Sequence, residues 1–509
     1  MEYKLLNGVW ELTMECNMRC KHCGSSCAVE QEDELTTLEA LNLCDELKEL
    51  GMEYITLSGG EPTLRKDLPA IIRKLTDNGI MVSIITNAWI VDDMIVNQAK
   101  DAGVKAIAIS IDGLLPTHDK IRRSGSYNRS IAALKLIKKY EIIPAVITTV
   151  NSVNITELDK MHDTFSEIGV AVWQMQLALP MGNLKHNTEY FLEPFHVNQL
   201  IDFAHSKIAG TIDIALADSV GYYNKKIVEI HEKSNPGFGL WSGCTAGRCT
   251  IGIFYNGDIT GCASLRDREF VEGNIRERSL RDIWYSENSF AWNRQMKKNL
   301  LKGFCAKCQY NNCLGGCSNS RLCMNGNIYS DNKYCSYHFE MSKVASKVAN
   351  INDPMVLLNN AYFLANEKQF QFAEIFLSKF LSQEPDNTEA KELLGYIHYE
   401  LGNYELCEKI NTEILAADPE NAYASKGLGL AECKTGHVED GVSHMYKATN
   451  MVKGVNCEIF YDLFITLLSL QRNNEAQEVK IRAEGCSDYS DWDERFCKAL
   501  SSKRLSATK

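Results

Sequence analysis

The run Cys16-Asn-Met-Arg-Cys20-Lys-His-Cys23 places three thiols at spacings of x3 and x2 in one short segment. Three thiolates so spaced can hold three corners of a cubane iron–sulfur cluster. The fourth iron is then left without a protein ligand. A substrate or cofactor can coordinate there, as at catalytic zinc sites that keep a position open. With Cys27 as a fourth thiolate, the same segment could instead make a closed zinc site. A second group lies far downstream: Cys244, Cys249, Cys262, Cys305, Cys308, Cys313, Cys317 and Cys335. Eight thiols make two complete tetrads with no open position at either, for iron–sulfur clusters or for zinc. Nineteen cysteines occur among the 509 residues, fourteen of them before residue 340. The start, MEYKLLNGVWELTMEC, has no signal-peptide pattern, so a reducing cytoplasm is the expected compartment. Grouped cysteines there are metal ligands rather than disulfides. Cys27, Cys44, Cys323 and the five thiols after residue 400 fall outside the groups and read as buried thiols.

A third feature is Ser58-Gly59-Gly60-Glu61-Pro62, about 35 residues past the triplet. Glycines allow close backbone approach, and Glu61 can accept hydrogen bonds from an ammonium group. The feature closes an apolar run, YITLSG at 54–59. Active sites of barrel-type sheets collect at that end of a strand.

The elements that must position these residues repeat along the first 210 residues. VWELTM before the triplet reads as the first strand. YITLSG (54–59), MVSIITN (81–87), VKAIAISID (104–112), PAVITTVN (144–151) and VAVWQMQLAL (170–179) read as the next five. Each is followed by an amphipathic stretch, at a spacing of about 25 to 35 residues, as in βα units on a parallel sheet. The expected fold is α/β, a partial (β/α)6-type barrel over residues 1–210. Residues 211–240 read as a linking helix. Residues 241–345 are rich in Gly, Asn and Cys, and read as a small loop-rich module held by metal.

Residues 354–500 carry a period. Pro385 and Pro419 are 34 apart, as are Asn387 and Asn421, Gly395 and Gly429, and Gly402 and Gly436. That step marks tetratricopeptide repeats, in blocks 353–386, 387–420 and 421–454 with a degenerate one after 457. Such all-α repeats stack into a concave binding face.

Composition narrows the classes. With 45% hydrophobic and 24% charged residues, disorder, collagen and coiled coil are excluded. No apolar stretch of about 18 residues exists, so no membrane span is expected. Lys plus Arg number 54 against 66 Asp plus Glu, which argues against a nucleic-acid coat. Residues 351–509 hold 16 basic and 25 acidic side chains, a net of −9.

The CxxxCxxC triplet with the downstream GGEP resembles the radical S-adenosylmethionine (SAM) enzymes. The resemblance covers about residues 8–340. It implies that the open iron chelates the amino and carboxylate groups of SAM, with Gly59, Gly60, Glu61 and Pro62 at the amino group. It also implies contacts to ribose and carboxylate from Asn87 after the third strand, Ser110 and Asp112 after the fourth, and Arg122. Read from the residues alone, Ser110 and Asp112 could cap the next segment, and Arg122 could be a solvated arginine beside Arg123.

The downstream cysteines resemble the SPASM extension, which carries two auxiliary [4Fe-4S] clusters. By that resemblance one cluster takes Cys244, Cys249, Cys262 and Cys317, and the other takes Cys305, Cys308, Cys313 and Cys335. The C-x2-C-x4-C-x3-C run is one residue shorter between Cys308 and Cys313 than the commoner pattern. Three [4Fe-4S] clusters and SAM are thus the implied cofactors, fed by an electron donor such as flavodoxin or ferredoxin.

The implied activity is oxidative modification of a ribosomally made peptide by a 5′-deoxyadenosyl radical, giving an intramolecular thioether or carbon–carbon cross-link. Only 15 residues precede Cys16, too few for a winged-helix leader-binding domain. The repeats are therefore expected to recognise the peptide. The alternatives are a formylglycine-forming, sulfatase-type maturase, a haem- or cofactor-pathway enzyme, and a zinc-stapled adaptor. Sulfatase-type relatives typically carry Asp after the equivalent of Cys262, where this chain has Ala263.

Overall fold

A computed structural model describes residues 3–217, 220–234, 241–452 and 454–506. The chain forms two compact units, Met1–Glu340 and Met341–Lys509.

The first unit is built on one ten-stranded sheet. Its parallel strands β1 (Asn7–Glu11), β2 (Tyr54–Ser58), β3 (Met81–Thr86), β4 (Ala106–Ser110), β5 (Ile143–Val150) and β6 (Val172–Leu177) lie side by side in chain order. Every strand expected from the apolar runs is present. Helices alternate with them: α1 (Thr37–Glu49), α2 (Leu68–Asp77), α3 (Asp93–Asp101), α4 (Leu115–Ile121), α5 (Ser126–Lys139), α6 (Leu158–Ile168) and α7 (Pro194–Ser206). The runs are near-continuously apolar because helices cover the sheet, and Ile55, Leu57, Val82, Ile84 and Val146 are buried. Local signals set the starts. Thr36 and Glu39 close a capping box on α1, satisfying backbone N–H groups that helix geometry leaves free.

The sheet extends beyond six strands. Residues 211–240, read as a linking helix, hold strand β7 (Asp213–Leu216), paired parallel to β6, and helix α8 (Lys225–Ser234). β7 is four residues long, and so short an apolar run cannot be told from helix by periodicity. Residues 218–219 and 235–240 of that span lie outside the described residues.

The cysteine-rich module is also more than loops. Its β8 (Thr250–Ile253) pairs parallel to β1, in register Asn7↔Thr250. The antiparallel strands β9 (Asp258–Thr260) and β10 (Val271–Asn274) complete the sheet. The N–H groups of Leu6 and Asn7 both donate to the Cys249 carbonyl, at 2.9 and 3.1 Å. The module thus occupies the sheet edge beside the strand that launches the cysteine triplet.

The second unit is all α and tetratricopeptide-like. Helix pairs Pro354–Asn366 with Phe370–Gln383, Thr388–Glu400 with Tyr404–Ala417, and Ala422–Thr435 with Val438–Met451 start 34 residues apart. A fourth pair, Cys457–Ser469 with Asn473–Ala483, and helix Asp493–Ser506 follow. The repeated Asn387 and Asn421 are N-caps, accepting from the N–H of Ala390 at 2.9 Å and of Ala424 at 2.8 Å. Of the late cysteines, Cys407, Cys457 and Cys486 are buried as expected. Cys433 is only half-buried and Cys497 is exposed. Among the described residues, no helix is long and apolar enough to cross a membrane.

Candidate active site and cysteine pockets

The Cys16–Cys23 segment leaves the end of β1 and is pinned by its neighbours. Gly60 N–H donates to the Thr13 carbonyl at 2.7 Å, and Glu61 N–H to the Glu15 carbonyl at 2.8 Å. The two loops touch so closely that a Cβ on Gly60 would sit 2.1 Å from the Glu15 carbonyl oxygen. Any side chain there would push the cysteine segment away, which is the physical reason for glycine at that position. From the other side, Asn183 after β6 donates its N–H to the Cys23 carbonyl at 2.9 Å and its side-chain amide to the Cys20 carbonyl at 3.0 Å.

Donors also point at the sulfurs. Met18 N–H lies 3.4 Å from Cys16 Sγ, Asn87 Nδ2 3.8 Å from the same atom, and Arg122 Nη1 3.9 Å from Cys20 Sγ. Such groups stabilise sulfur that carries negative charge.

The three cysteines open on a cavity of about 700 Å³. Gly59, Gly60, Asn87, Ser110 and Arg122 share its wall. Arg123 does not: its guanidinium stacks 3.7 Å from the Trp89 ring centre and donates to the Asn17 carbonyl. Glu61, Pro62 and Asp112 stand behind the wall rather than on it. The Glu61 carboxylate is buried and accepts from Thr63 Oγ1 and Thr86 Oγ1, both at 2.6 Å, and from the N–H of Asn87 at 2.8 Å. Burial pushes its pKa up despite those donors. Its lone pairs are largely used in tying the GGEP loop to the Thr86–Asn87 turn. Asp112 is likewise buried. It accepts from Arg122 Nε at 2.5 Å, from the Thr149 N–H at 2.8 Å, and faces His22 Nε2 at 3.0 Å. Burial alone would raise its pKa, but Arg122 and His22 hold it far below the carboxylate range. Asp112 therefore aims the arginine instead of reaching the cavity.

Several wall residues fall outside the motif positions of the sequence. His22 sits inside the triplet itself and lines the cavity. Gln174 and Gln176 face it from β6. Their signal was present in VWQMQL: a polar residue at every second position of a covered parallel strand. Cys27 is buried, lines the same cavity, and donates to Cys23, which holds the Cys23 thiol low and Cys27 high.

The downstream cysteines separate into two places. Cys244, Cys262 and Cys317 line the large cavity, opposite in sequence but in the same chamber as the triplet. Cys249, at the start of β8, is not on its wall. Cys305, Cys308, Cys313 and Cys335 all line a second, small pocket of about 20 Å³, with Tyr222, Tyr310 and Tyr337 around it. Burial pushes the Cys308 thiol up to about 11 and Cys313 to about 12, each further raised by its cysteine neighbours.

Between the groups lies Arg321, 1% exposed. A Cβ on Gly315 would meet its Nη1 at 2.6 Å, so the glycine makes room for the guanidinium. Its Nη2 donates to Ser318 Oγ at 3.1 Å, while Nε and Nη1 have no hydrogen-bond partner among the described residues. Burial lowers its pKa, while Cys305, Tyr222, Cys317 and Cys244 act the other way. A buried guanidinium without a counter-charge is costly by several kcal/mol. Anionic thiolate-ligated clusters on both sides would supply the missing charge, so the residues present fit iron–sulfur clusters.

Residues 10–165 match the radical SAM superfamily, and residues 244–309 match SPASM, an iron-sulfur cluster-binding domain. An AdoMet-dependent heme synthase of Methanosarcina barkeri is 30% identical over 339 residues, covering 64% of this chain and 95% of that protein. The mycofactocin maturase MftC of Mycobacterium tuberculosis is 26% identical over 320 residues, covering 60% of this chain and 77% of its own length. Streptococcus suis SuiB bound to S-adenosylmethionine shares the fold at a TM-score of 0.53 and 17% identity, over 65% of this chain and 77% of that one. The chain belongs to the radical SAM superfamily, with an SPASM domain. It is an enzyme of radical SAM chemistry that uses SAM and iron–sulfur clusters.

Proposed function

We propose that Cys16, Cys20 and Cys23 ligate the SAM cluster, and that Gly59, Gly60, Asn87, Ser110 and Arg122 hold SAM. Glu61, Pro62 and Asp112 position that wall from behind. In the same reading, Cys244, Cys249, Cys262 and Cys317 ligate one auxiliary [4Fe-4S] cluster, and Cys305, Cys308, Cys313 and Cys335 a second, three clusters in all. Residues 1–210 carry the SAM chemistry, 241–345 the auxiliary clusters and 354–500 substrate recognition. A flavodoxin or ferredoxin supplies electrons.

The substrate is a ribosomally made peptide, and the product an intramolecular thioether or carbon–carbon cross-link. The chemistry the bound cofactors supply is one-electron cleavage of the SAM C5′–S bond, hydrogen-atom abstraction, and removal of a second electron through an auxiliary cluster. The chain's own part is to hold the two cysteine sets on one chamber, to aim Arg122 with Asp112 and His22, and to press the glycine loop against the triplet. The observation that carries the oxidative reading is that shared chamber: Cys244, Cys262 and Cys317 line the cavity that the triplet opens on. An electron acceptor beside the reacting carbon favours bond formation over simple hydrogen return. A relative named mycofactocin maturase supports the peptide.

A second reading is a haem- or cofactor-pathway reaction, favoured by the 30% identity to the heme synthase. That match uses 95% of the relative, which leaves no room in it for a second unit of this kind. The helical unit therefore favours a polypeptide. Anaerobic enzyme with SAM, dithionite and a short peptide encoded beside its gene should give a product lighter by two hydrogen atoms. Turnover of an iron porphyrin, with the peptide unchanged, would reverse the order of the two readings.

A further inference from the structure

The first helices of the successive repeats line one groove of about 930 Å³ in the second unit. Its lining positions recur at the repeat, with the residue type kept at one and changed at the others. Tyr362 and Tyr396 are one 34-residue step apart, as are Glu389 and Tyr423, and Glu392 and Lys426. Five carboxylates line it: Glu389, Glu392, Glu400, Glu458 and Asp462. Two lysines oppose them, Lys426 and Lys434. Lys426 is already engaged, bonded to Glu458 at 2.7 Å and to Asp462 at 3.0 Å. Lys434 is exposed.

Glu389, Glu392 and Glu400 form no ion pair among the described residues. Neutral donors hold two of them: Tyr362 Oη donates to Glu389 at 2.6 Å, and Asn421 Nδ2 to Glu392 at 2.7 Å. A carboxylate accepts up to about four hydrogen bonds, so each keeps free acceptor capacity. Two rings stand open beside them, Tyr396 at 48% and Tyr423 at 39% exposed. Burial raises the Glu400 carboxyl, Lys368 acts the other way, and Asp462 raises it by less.

This lining selects by chemistry. Phosphate backbones and acidic peptides are repelled. A single metal ion would fill little of the volume. Lysine or arginine side chains find carboxylates for their heads and tyrosine faces for their stems and cationic groups. Carboxylates and rings spread over several stacked helices fit an extended chain.

Resting on the peptide reading above, we propose that this groove binds an extended cationic segment of the substrate polypeptide, with its lysine or arginine heads on Glu389, Glu392 and Glu400.

The test uses the full-length enzyme and a short fluorescein-labelled peptide of alternating lysine and serine, read by anisotropy. A peptide with glutamate in place of lysine is the matched control. The lysine peptide should bind and the glutamate peptide should not, and binding should weaken as salt rises. The triple variant Glu389→Gln, Glu392→Gln, Glu400→Gln should bind about tenfold more weakly or worse. A variant with the same charge change outside the groove, Glu405→Gln, Glu413→Gln, Glu478→Gln, should stay within about twofold of wild type. Equal losses in the two triple variants, or equal binding of the two peptides, would overturn the groove. Tyr396→Ala, a change at an exposed ring, is the second arm: with the melting temperature kept, an unaltered affinity would also count against it.

With precursor, the groove variant should raise KM and leave uncoupled 5′-deoxyadenosine formation unchanged. If precursor is modified with unchanged KM, the groove proposal falls and the peptide reading stands. If no peptide is modified at all although the lysine peptide binds, the peptide reading falls, and the assigned occupant with it.

Discussion

The Cys16–Cys23 segment and the residues around Cys305–Cys335 both gather thiols, and they do so in opposite ways. The first brings three to the wall of a chamber of about 700 Å³. The second encloses four around about 20 Å³, ringed by tyrosines. An incomplete ligand set on a roomy cavity leaves a coordination position for something that must enter and leave. A complete set in a tight pocket leaves none, and can only store or pass electrons. The triplet is held by long-range hydrogen bonds from Gly60, Asn183 and Arg122. The tetrad segment is tied just as far across the chain: Tyr334 Oη donates to the Leu192 carbonyl at 2.9 Å and Asn332 Nδ2 to Tyr222 Oη at 3.1 Å.

Breaking the closed site should separate two activities that the open site would lose together. Cys308→Ala is expected to keep 5′-deoxyadenosine formation within about threefold of wild type while peptide product falls by about a hundredfold or more. Product assays beside SAM-cleavage assays decide it. Parallel loss of both would assign the tetrad to folding instead.

Acid should act first on the open site. His118 is buried, its neutral ring accepts from the Asp112 N–H at 3.1 Å, and burial with Arg122 nearby holds its pKa down to about 4. The unfolded chain takes up that proton near pH 6.5, the folded chain only near 4. Stability therefore falls as pH drops from 6.5 towards 4, by up to roughly 3 kcal/mol from this one group. Melting temperatures across that range should show the slope in wild type and a shallower one in His118→Asn. Parallel curves would remove the assignment.

Arg321 sharpens the comparison from between the sites. Arg321→Met removes a buried positive charge facing both auxiliary cysteine sets. The auxiliary midpoint potentials should move negative by on the order of 50 mV, with the SAM-cluster potential less affected. Potentiometric titration followed by electron paramagnetic resonance measures both. Equal shifts in all clusters would mean a global change rather than a local charge effect.

Much of this was legible in the chain. The strands β1–β6 were visible because covered parallel strands are long apolar runs. The 34-residue step was visible because Asn387 and Asn421 do the same capping work one repeat apart. β7 was not, being four residues without a pattern of its own. The split of Glu61 and Asp112 from the cavity wall was also hidden. Both are acidic residues beside glycine or serine in sequence, and only folding shows that Thr63, Thr86 and Asn87 surround one and Arg122 and His22 the other. The pairing of Gly315 with Arg321 is a contact across a turn that no spacing announces. The acidity of residues 351–509 was countable, but its concentration in one groove appears only when the helices stack.

The central claim, one open cluster on the triplet and two closed clusters downstream, is tested most directly by Mössbauer spectroscopy of enzyme reconstituted with iron-57. The account predicts ~12 irons per chain, of which about one changes its spectrum on addition of SAM. In the Cys16→Ala, Cys20→Ala, Cys23→Ala variant, about eight irons should remain and none should respond. A SAM-dependent change that survives in that variant, or no response in the wild type, would contradict it.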